Sequence, residues 1–98
     1  MTFDEALSKV QKMAEDHGGK FNSKVNFKFD EGTIHLDDTV SPTAVVKQEQ
    51  EAPCSIKITL SNFEKLLNGD VNPMMAFMTG KMKIEGDKGV AMKLAGLF

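Results

Sequence analysis

Period-two alternation of apolar and polar residues, repeated in separate short segments, is the feature that most constrains the fold of this chain. Val25, Phe27 and Phe29 alternate with Asn26 and Lys28. The segments that share this pattern are residues 25–29, 33–37, 54–60 and 81–85. Because successive side chains of a strand point to opposite faces, such strands build a sheet with one covered and one wet face. The helices must then collect on the apolar face, which predicts a two-layer α+β fold.

Helix signals separate the strands. Thr2 with Glu5 forms a capping-box pair before a first helix, and Ser61 with Glu64 predicts another helix after the fourth strand. The predicted order is a helix over 3–17, strands over 25–29, 33–37, 43–48 and 54–60, helices over 61–67 and 74–78, a strand over 81–85 and a helix from about 88. If the fourth and fifth strands are parallel, the helices between them form a right-handed crossover. The length of 98 residues predicts a single domain, residues 1–98.

Composition argues against several classes of protein. All 12 basic residues are lysine, and Trp and Tyr are absent, so no nucleic-acid partner is expected. The single cysteine, Cys54, permits no intramolecular disulfide. The N-terminus is acidic and no apolar run approaches the roughly 20 residues of a membrane span, so a cytoplasmic location is expected.

Candidate catalytic groups are few. His17 falls at a helix C-terminus, and His35 falls on the predicted wet face of its strand. Cys54 lies in the apolar register and is interpreted as a buried structural thiol. The neighbouring carboxylates Asp37 and Asp38 are interpreted as solvated charges beside a turn. We therefore expect a protein that is not an enzyme, with no catalytic residue, metal site or cofactor.

Methionine is unusually concentrated near the C-terminus. Five of the seven methionines fall within nineteen residues: Met74, Met75, Met78, Met82 and Met92. They can be core filler or the adaptable wall of a pocket, since methionine serves both purposes. A pocket of ~300 Å³, left empty in the interior, costs about 7 kcal/mol, against a total stability of about 5–15 kcal/mol. Such a pocket must collapse when empty or stay filled, so we expect the purified protein to carry lipid and to melt lower once stripped.

The C-terminal block, residues 68–94, contains a distinctive set of residue types at fixed spacing. Its elements are Asn72-Pro73, Ala76-Phe77, Gly80-Lys81, Lys83-Ile84, Gly86 and Ala91-Met92-Lys93-Leu94, and Leu36-Asp37 and the strand 54–60 also fit. Together they resemble the signature of the sterol carrier protein 2 family. The resemblance implies a five-stranded mixed sheet with helices on one face. It also implies a hydrophobic tunnel between the sheet and the C-terminal helices that binds sterols, phospholipids, fatty acids and fatty acyl-CoA without catalysis.

Candidate lipid-binding residues follow from two sources. The residues carried over from the resemblance are Phe77, Met78, Met82, Ile84 and Leu94. The residues added because they face the apolar side are Phe27, Ile58, Leu60, Met74, Met75, Leu97 and Phe98. A carboxylate or phosphate head group would lie near Lys81, Lys88 or Lys93. The expected partner is a lipid or fatty acyl ligand, with acyl chains favoured over sterols, together with a transient membrane contact.

An interaction module is the alternative to a lipid carrier. The resemblance includes domains appended to larger lipid-metabolising enzymes, where they serve association. A seam through Leu97 and Phe98 would join two copies, so the expected state is a monomer or a weak dimer.

Overall fold

The computed structural model of the chain describes residues 1–96. Its elements are α1 Phe3–His17, β1 Lys24–Phe29, β2 Gly32–Asp37, β3 Ala44–Val46, β4 Cys54–Ile58, α2 Leu60–Leu67, α3 Pro73–Met78, β5 Met82–Gly86 and α4 Lys88–Ala95. The strands form one mixed sheet in the order β3-β2-β1-β4-β5. The predicted α+β class, with a five-stranded mixed sheet and helices packed on one face, is confirmed.

The direction of β5 differs from the crossover expectation. β1 pairs with β4 in parallel, whereas β4 and β5 are antiparallel. Met82, the first residue of β5, pairs with Ile58, the last residue of β4. The connection through α2 and α3 therefore returns the chain to the end of the sheet that it left, and β5 runs back along β4. The right-handed crossover between β4 and β5 is absent for this reason.

The core lies between the apolar face of the sheet and the helices. One row of this face runs across four strands at paired positions: Ile34, Phe27, Ile56 and Ile84. Phe63 of α2 packs on this face, with its ring centroid 5.6 Å from that of Phe27 and 5.2 Å from that of Phe29. α1 covers the β2 side of the sheet and α4 covers the β4 side.

Capping contacts set the ends of α1 and α3. The predicted capping box is present, since Glu5 N donates to Thr2 Oγ1 at 3.1 Å and Thr2 N donates to Glu5 Oε1 at 2.9 Å. At the start of α3, Asn72 Oδ1 accepts a hydrogen bond from Met75 N at 3.1 Å. The helix ends where Lys81 N donates to Ala76 O at 2.8 Å across Gly80, whose φ is +77°. These caps hold α3 to six residues.

The start of α2 was predicted wrongly. Thr59, rather than Ser61, is the N-cap, because its hydroxyl accepts a hydrogen bond from Asn62 N at 3.1 Å. Leu60 is therefore the first residue of the helix and not the last residue of the strand. Thr59 and Leu60 continue the alternation of β4, so the pattern alone could not separate the two elements.

The face of the sheet opposite the helices is not wet throughout. His35 and Asn26, which occupy paired positions on β2 and β1, are only 2% and 3% exposed. His35 Nδ1 donates to Asn26 Oδ1 at 2.8 Å, and Asn26 Nδ2 donates to Gln50 O at 2.7 Å. The segment after β3 thus covers this pair, and burial lowers the pKa of His35. The prediction of an exposed His35 is wrong because a distant segment supplies the cover.

Asp38 is a buried hydrogen-bond centre and not a solvated charge. It is 5% exposed and accepts hydrogen bonds from the backbone N–H groups of Gly19, Phe21 and Asn22, at 2.7–2.9 Å. The Thr43 hydroxyl donates a fourth at 2.6 Å. Burial alone raises the pKa of Asp38, but the hydrogen bonds outweigh it and the pKa lies below its usual value. The carboxylate ties the loop after α1 to the approach of β3.

Candidate functional site

A cleft of about 550 Å³ lies at the β5 edge of the sheet, between α3 and α4. Within residues 1–96 it is open to solvent on one side. Its lining residues, which are mainly apolar, are Asn72, Pro73, Met74, Phe77, Met82, Ile84, Lys88, Ala91, Met92, Ala95 and Gly96. An exposed concave apolar surface of this kind is rarer on proteins than scattered apolar residues, and it marks a site of interaction.

The floor of the cleft is β5. Met82 and Ile84 pair with Ile58 and Ile56, so they lie on the helix-covered face of the sheet. Met82 is buried, whereas Ile84 is half-buried. β5 is the last strand of the sheet, and no neighbouring strand carries the apolar face beyond Ile84 within the part of the chain that the structure describes. The edge position therefore leaves apolar strand surface open to a guest.

α3 forms one wall. Ala76 is buried and fixes the helix against the sheet, while Met74 and Phe77 line the cleft and remain largely exposed. A short helix held by one small buried residue can present large side chains on its other faces. Methionine adapts its shape to a partner at little strain, because its side chain is unbranched and has three rotatable bonds.

α4 forms the opposite wall with a second helical stripe. Val90 and Leu94 face the core, as the sequence predicts. Lys88, Met92 and Ala95, at i, i+4 and i+7, line the cleft. Met92 and Ala95 were missed as site residues, although their spacing from Lys88 is the signal that would have found them.

The predicted lipid-contacting residues fall into four groups. Those that line the cleft are Met74, Phe77, Met82 and Ile84. Those in the core are Phe27, Ile58, Leu60 and Leu94. Those that face solvent outside the cleft are Met75 and Met78, at 54% and 72% exposed. Leu97 and Phe98, and with them the predicted dimer seam, lie outside the described residues. Contact of any of these residues with lipid stays a prediction.

Among the described lining residues, one side chain is charged. Lys88 Nζ lies 5.6 Å from the centroid of the Phe77 ring, a cation–π contact between α4 and α3. Of the three lysines predicted near a head group, Lys81 and Lys93 do not line the cleft.

Other chemistry is sparse in the described part of the chain. Cys54 is 1% exposed, so its predicted burial is confirmed, and burial raises the pKa of its thiol. Residues 1–96 contain no group of three His, Cys, Asp or Glu side chains placed to hold a metal ion. No helix among them has the length and apolar character that a bilayer crossing requires.

Comparison with known sequences identifies the family of this chain. Residues 4–98 match the SCP-2 sterol transfer family. The chain belongs to that family. It is 33% identical over 102 residues to the sterol carrier protein 2 of Homo sapiens, an alignment that covers 93% of this chain and 19% of the human protein. The chain thus spans about a fifth of the length of the curated relatives that it first matches.

Solved structures share the fold. Sterol carrier protein 2 of Yarrowia lipolytica, in its apo form, superposes with a TM-score of 0.71 at 24% identity and covers 92% of this chain and 76% of its own. Sterol carrier protein 2 like-3 of Aedes aegypti superposes with a TM-score of 0.72 at 13% identity, over 98% of this chain and 96% of its own. At such identities the likeness concerns the fold alone.

Proposed function

We propose that this domain binds lipids non-enzymatically, with an acyl chain in the cleft between α3, β5 and α4, and transfers or presents them inside the cell. Fatty acids, fatty acyl-CoA and phospholipids are the favoured ligands, and sterols are a further candidate. The observation that carries the proposal is the open apolar cleft itself. Family membership and the printed name of the human relative, sterol carrier protein 2, support it.

The size of the cleft suits an apolar chain. Its volume of about 550 Å³ falls inside the range of about 300–1,000 Å³ that is usual for small-molecule sites. Burying ten methylenes is worth about 8 kcal/mol, which alone corresponds to a Kd of about 1 μM, and ordering and lost freedom make the affinity weaker than this limit. Flexible methionines on both walls favour broad selectivity over a single ligand.

Because the cleft is open, the free-energy cost of an empty, enclosed cavity does not apply to it. Water fills an open cleft, so the empty state exposes apolar surface and does not enclose a void. A ligand at one hundred times its Kd then adds about 2.7 kcal/mol to the free energy of unfolding. For a domain of this size we expect Tm to rise by about 10 °C or more.

Two matched pairs of substitutions test the assignment of the cleft. Met74→Gln with Met92→Gln alters both walls, and Met75→Gln with Met78→Gln alters two methionines that the structure places outside the cleft. All four side chains are largely exposed, so both variants keep the fold. We expect the first pair to weaken fluorescent fatty-acid binding about tenfold or more, and the second to leave the affinity unchanged.

The experiments distinguish an error in the proposed function from an error in the boundary of the cleft. Native mass spectrometry of freshly purified protein reports whether lipid is bound at all. If the unmodified protein neither carries nor takes up lipid, the proposed function is wrong. If the two variant pairs weaken binding equally, the lipid contacts extend beyond the cleft, and its boundary is wrong.

We further propose that the cleft side of the domain contacts an anionic membrane during transfer. Met75 and Met78 project into solvent beside the cleft. Residues 73–96 carry four lysines and two acidic residues, a net charge of +2, whereas residues 1–72 carry eight lysines and twelve acidic residues, a net charge of -4. The basic stretch that carries the cleft is complementary in charge to a negatively charged bilayer surface.

Transfer kinetics test this contact. A fluorescent fatty acid is loaded on the protein and passed to vesicles of phosphatidylcholine with or without phosphatidylserine. We expect the anionic lipid to speed transfer, and the Met75→Gln, Met78→Gln pair to slow it at unchanged affinity. A transfer rate that depends on neither vesicle charge nor this pair would exclude the membrane contact while leaving lipid binding intact.

A further inference from the structure

We infer that Lys88 selects ligands with an anionic head group, a carboxylate or a phosphate, at the mouth of the cleft. The inference rests on the proposed binding of lipids in this cleft. It assigns the residue that recognises the head group of these ligands.

The lining of the cleft offers few other polar groups. Among its described lining residues, Lys88 and Asn72 have polar side chains. The side-chain oxygen of Asn72, Oδ1, is engaged as the cap of α3, where it accepts the hydrogen bond from Met75 N at 3.1 Å. Lys88 therefore supplies the charge that a ligand in the cleft meets.

A contact with an aromatic ring positions the ammonium group of Lys88. Lys88 begins α4, and its Nζ lies 5.6 Å from the Phe77 ring centroid on α3. An ammonium has three N–H donors and no acceptor, so a contact with one ring face leaves donors for an oxyanion. The apolar ring beneath it also belongs to the cleft, so an acyl chain along the ring would bring its head group to Nζ.

No carboxylate in the described part of the chain forms an ion pair with Lys88, so its charge is available to a ligand. Within residues 1–96 the ion pairs involve Met1, Lys12 and Lys28, and none engages Lys88. The carboxylate of the preceding residue, Asp87, caps α4 by accepting a hydrogen bond from Gly89 N at 2.8 Å. Lys93, on the same helix, is exposed but lies outside the cleft, which makes it a matched control.

The expected preference is modest because Lys88 is exposed to water. An exposed ion pair corresponds to a preference of up to about fivefold in Kd. Raising the salt to about 1 M, where the Debye length is about 3 Å, should largely remove it.

A head-group series on one chain length tests the inference. Dodecanoate, dodecyl phosphate and dodecanol each displace a neutral fluorescent apolar probe from the unmodified protein and from Lys88→Gln, Lys88→Arg and Lys93→Gln. We expect the unmodified protein to prefer the anions over the alcohol about fivefold. The preference is read within each variant as the ratio of the alcohol's Kd to the anion's. Lys88→Gln should bring this ratio to about one, while Lys88→Arg and Lys93→Gln should retain it. The stronger of the two anions identifies the head group.

The failures are distinguishable. Equal affinity of the unmodified protein for dodecanol and both anions would overturn the inference and leave lipid binding in place. A preference that survives Lys88→Gln and disappears in Lys93→Gln would also overturn it. If none of the three ligands displaces the probe, the proposed function itself fails.

Discussion

Gly86 joins β5 to α4, the helix that carries one wall of the cleft, and its replacement by alanine should be unusually damaging. Its φ is +89°, and a Cβ added there overlaps the carbonyl oxygen of Pro53 and lies 3.3 Å from the carbonyl carbon. The same oxygen accepts a hydrogen bond from Asp87 N at 2.8 Å. Because the obstacle is backbone, no side-chain rotation relieves it. Gly86→Ala must push the start of α4 away from the chain before β4.

Gly80 provides a matched control for the magnitude. Its φ of +77° is similar, but a Cβ added there meets nothing within 4 Å. Gly80→Ala therefore incurs only the left-handed backbone penalty of about 1–2 kcal/mol. Gly86→Ala adds steric overlap, worth about 1–3 kcal/mol in packed sites. The total of about 2–5 kcal/mol remains below the stability of about 5–15 kcal/mol of an ordinary domain, so the variant should still fold.

Urea unfolding followed by far-ultraviolet circular dichroism measures both variants. With an m value of about 1–3 kcal/mol per molar, the Gly86→Ala midpoint should lie on the order of 1 M below that of Gly80→Ala. Gly86→Ala should also weaken lipid binding, since α4 carries Lys88, Met92 and Ala95. Coincident midpoints for the two variants would refute the steric argument. If both variants unfold at the urea midpoint of the unmodified protein, the left-handed backbone penalty is refuted as well.

Three further predictions concern buried groups. Asp38→Asn should destabilise the domain by about 2 kcal/mol at neutral pH. The pKa of Asp38 in the folded protein is lowered. The stability that its carboxylate contributes is therefore complete above the unfolded pKa of about 3.9 and is lost as pH falls through the folded pKa. Parallel pH profiles of the urea midpoints of the two proteins would contradict this. Burial likewise lowers the pKa of His35, so stability should fall as pH drops below about 6.5, and an NMR titration that puts His35 at or above that value would be inconsistent with the structure. Cys54, at 1% exposure and with its pKa raised by burial, should react with a thiol reagent only on unfolding; reaction at the rate of a free thiol would disprove its burial.

Features set by neighbouring residues were predictable from the sequence. The capping box of Thr2 with Glu5 and the start of α3 at Asn72-Pro73 depend on contacts three residues apart, and both are present. The alternation of β1 and β2 likewise places Phe27 and Ile34 at paired positions on one face. Such patterns carry their information within one element or one hairpin.

Features set by distant segments were not predictable. Asn26 contacts Gln50, 24 residues away, and the burial of His35 follows from that contact. Asp38 binds backbone groups 16 to 19 residues away. A single sequence shows neither contact, so a polar residue on an alternating strand is assigned to solvent by default. The direction of β5 was open for the same reason.

The candidate site was predicted in part. Alternation identifies the apolar face but does not show which part of it a helix covers. Phe27 and Ile58 lie under helices, whereas Ile84, on the same face, lies at the open edge. The sequence pattern of α4 was interpreted from its core-facing residues alone. The second row of residues, which includes Met92 and faces the cleft, was missed.

Every described residue that lines the cleft comes from one continuous stretch, residues 72–96. The other four strands, α1 and α2 contribute none of the described lining. A continuous terminal stretch that rests on β4 can open as a local cooperative unit while the pairing of β1, β2 and β3 stays intact. Hydrogen exchange should then be faster in α3 and α4 than in β1, and a bound lipid should slow it there first. We expect such an opening to involve about a quarter of the chain, residues 72–96, and to stop short of global unfolding.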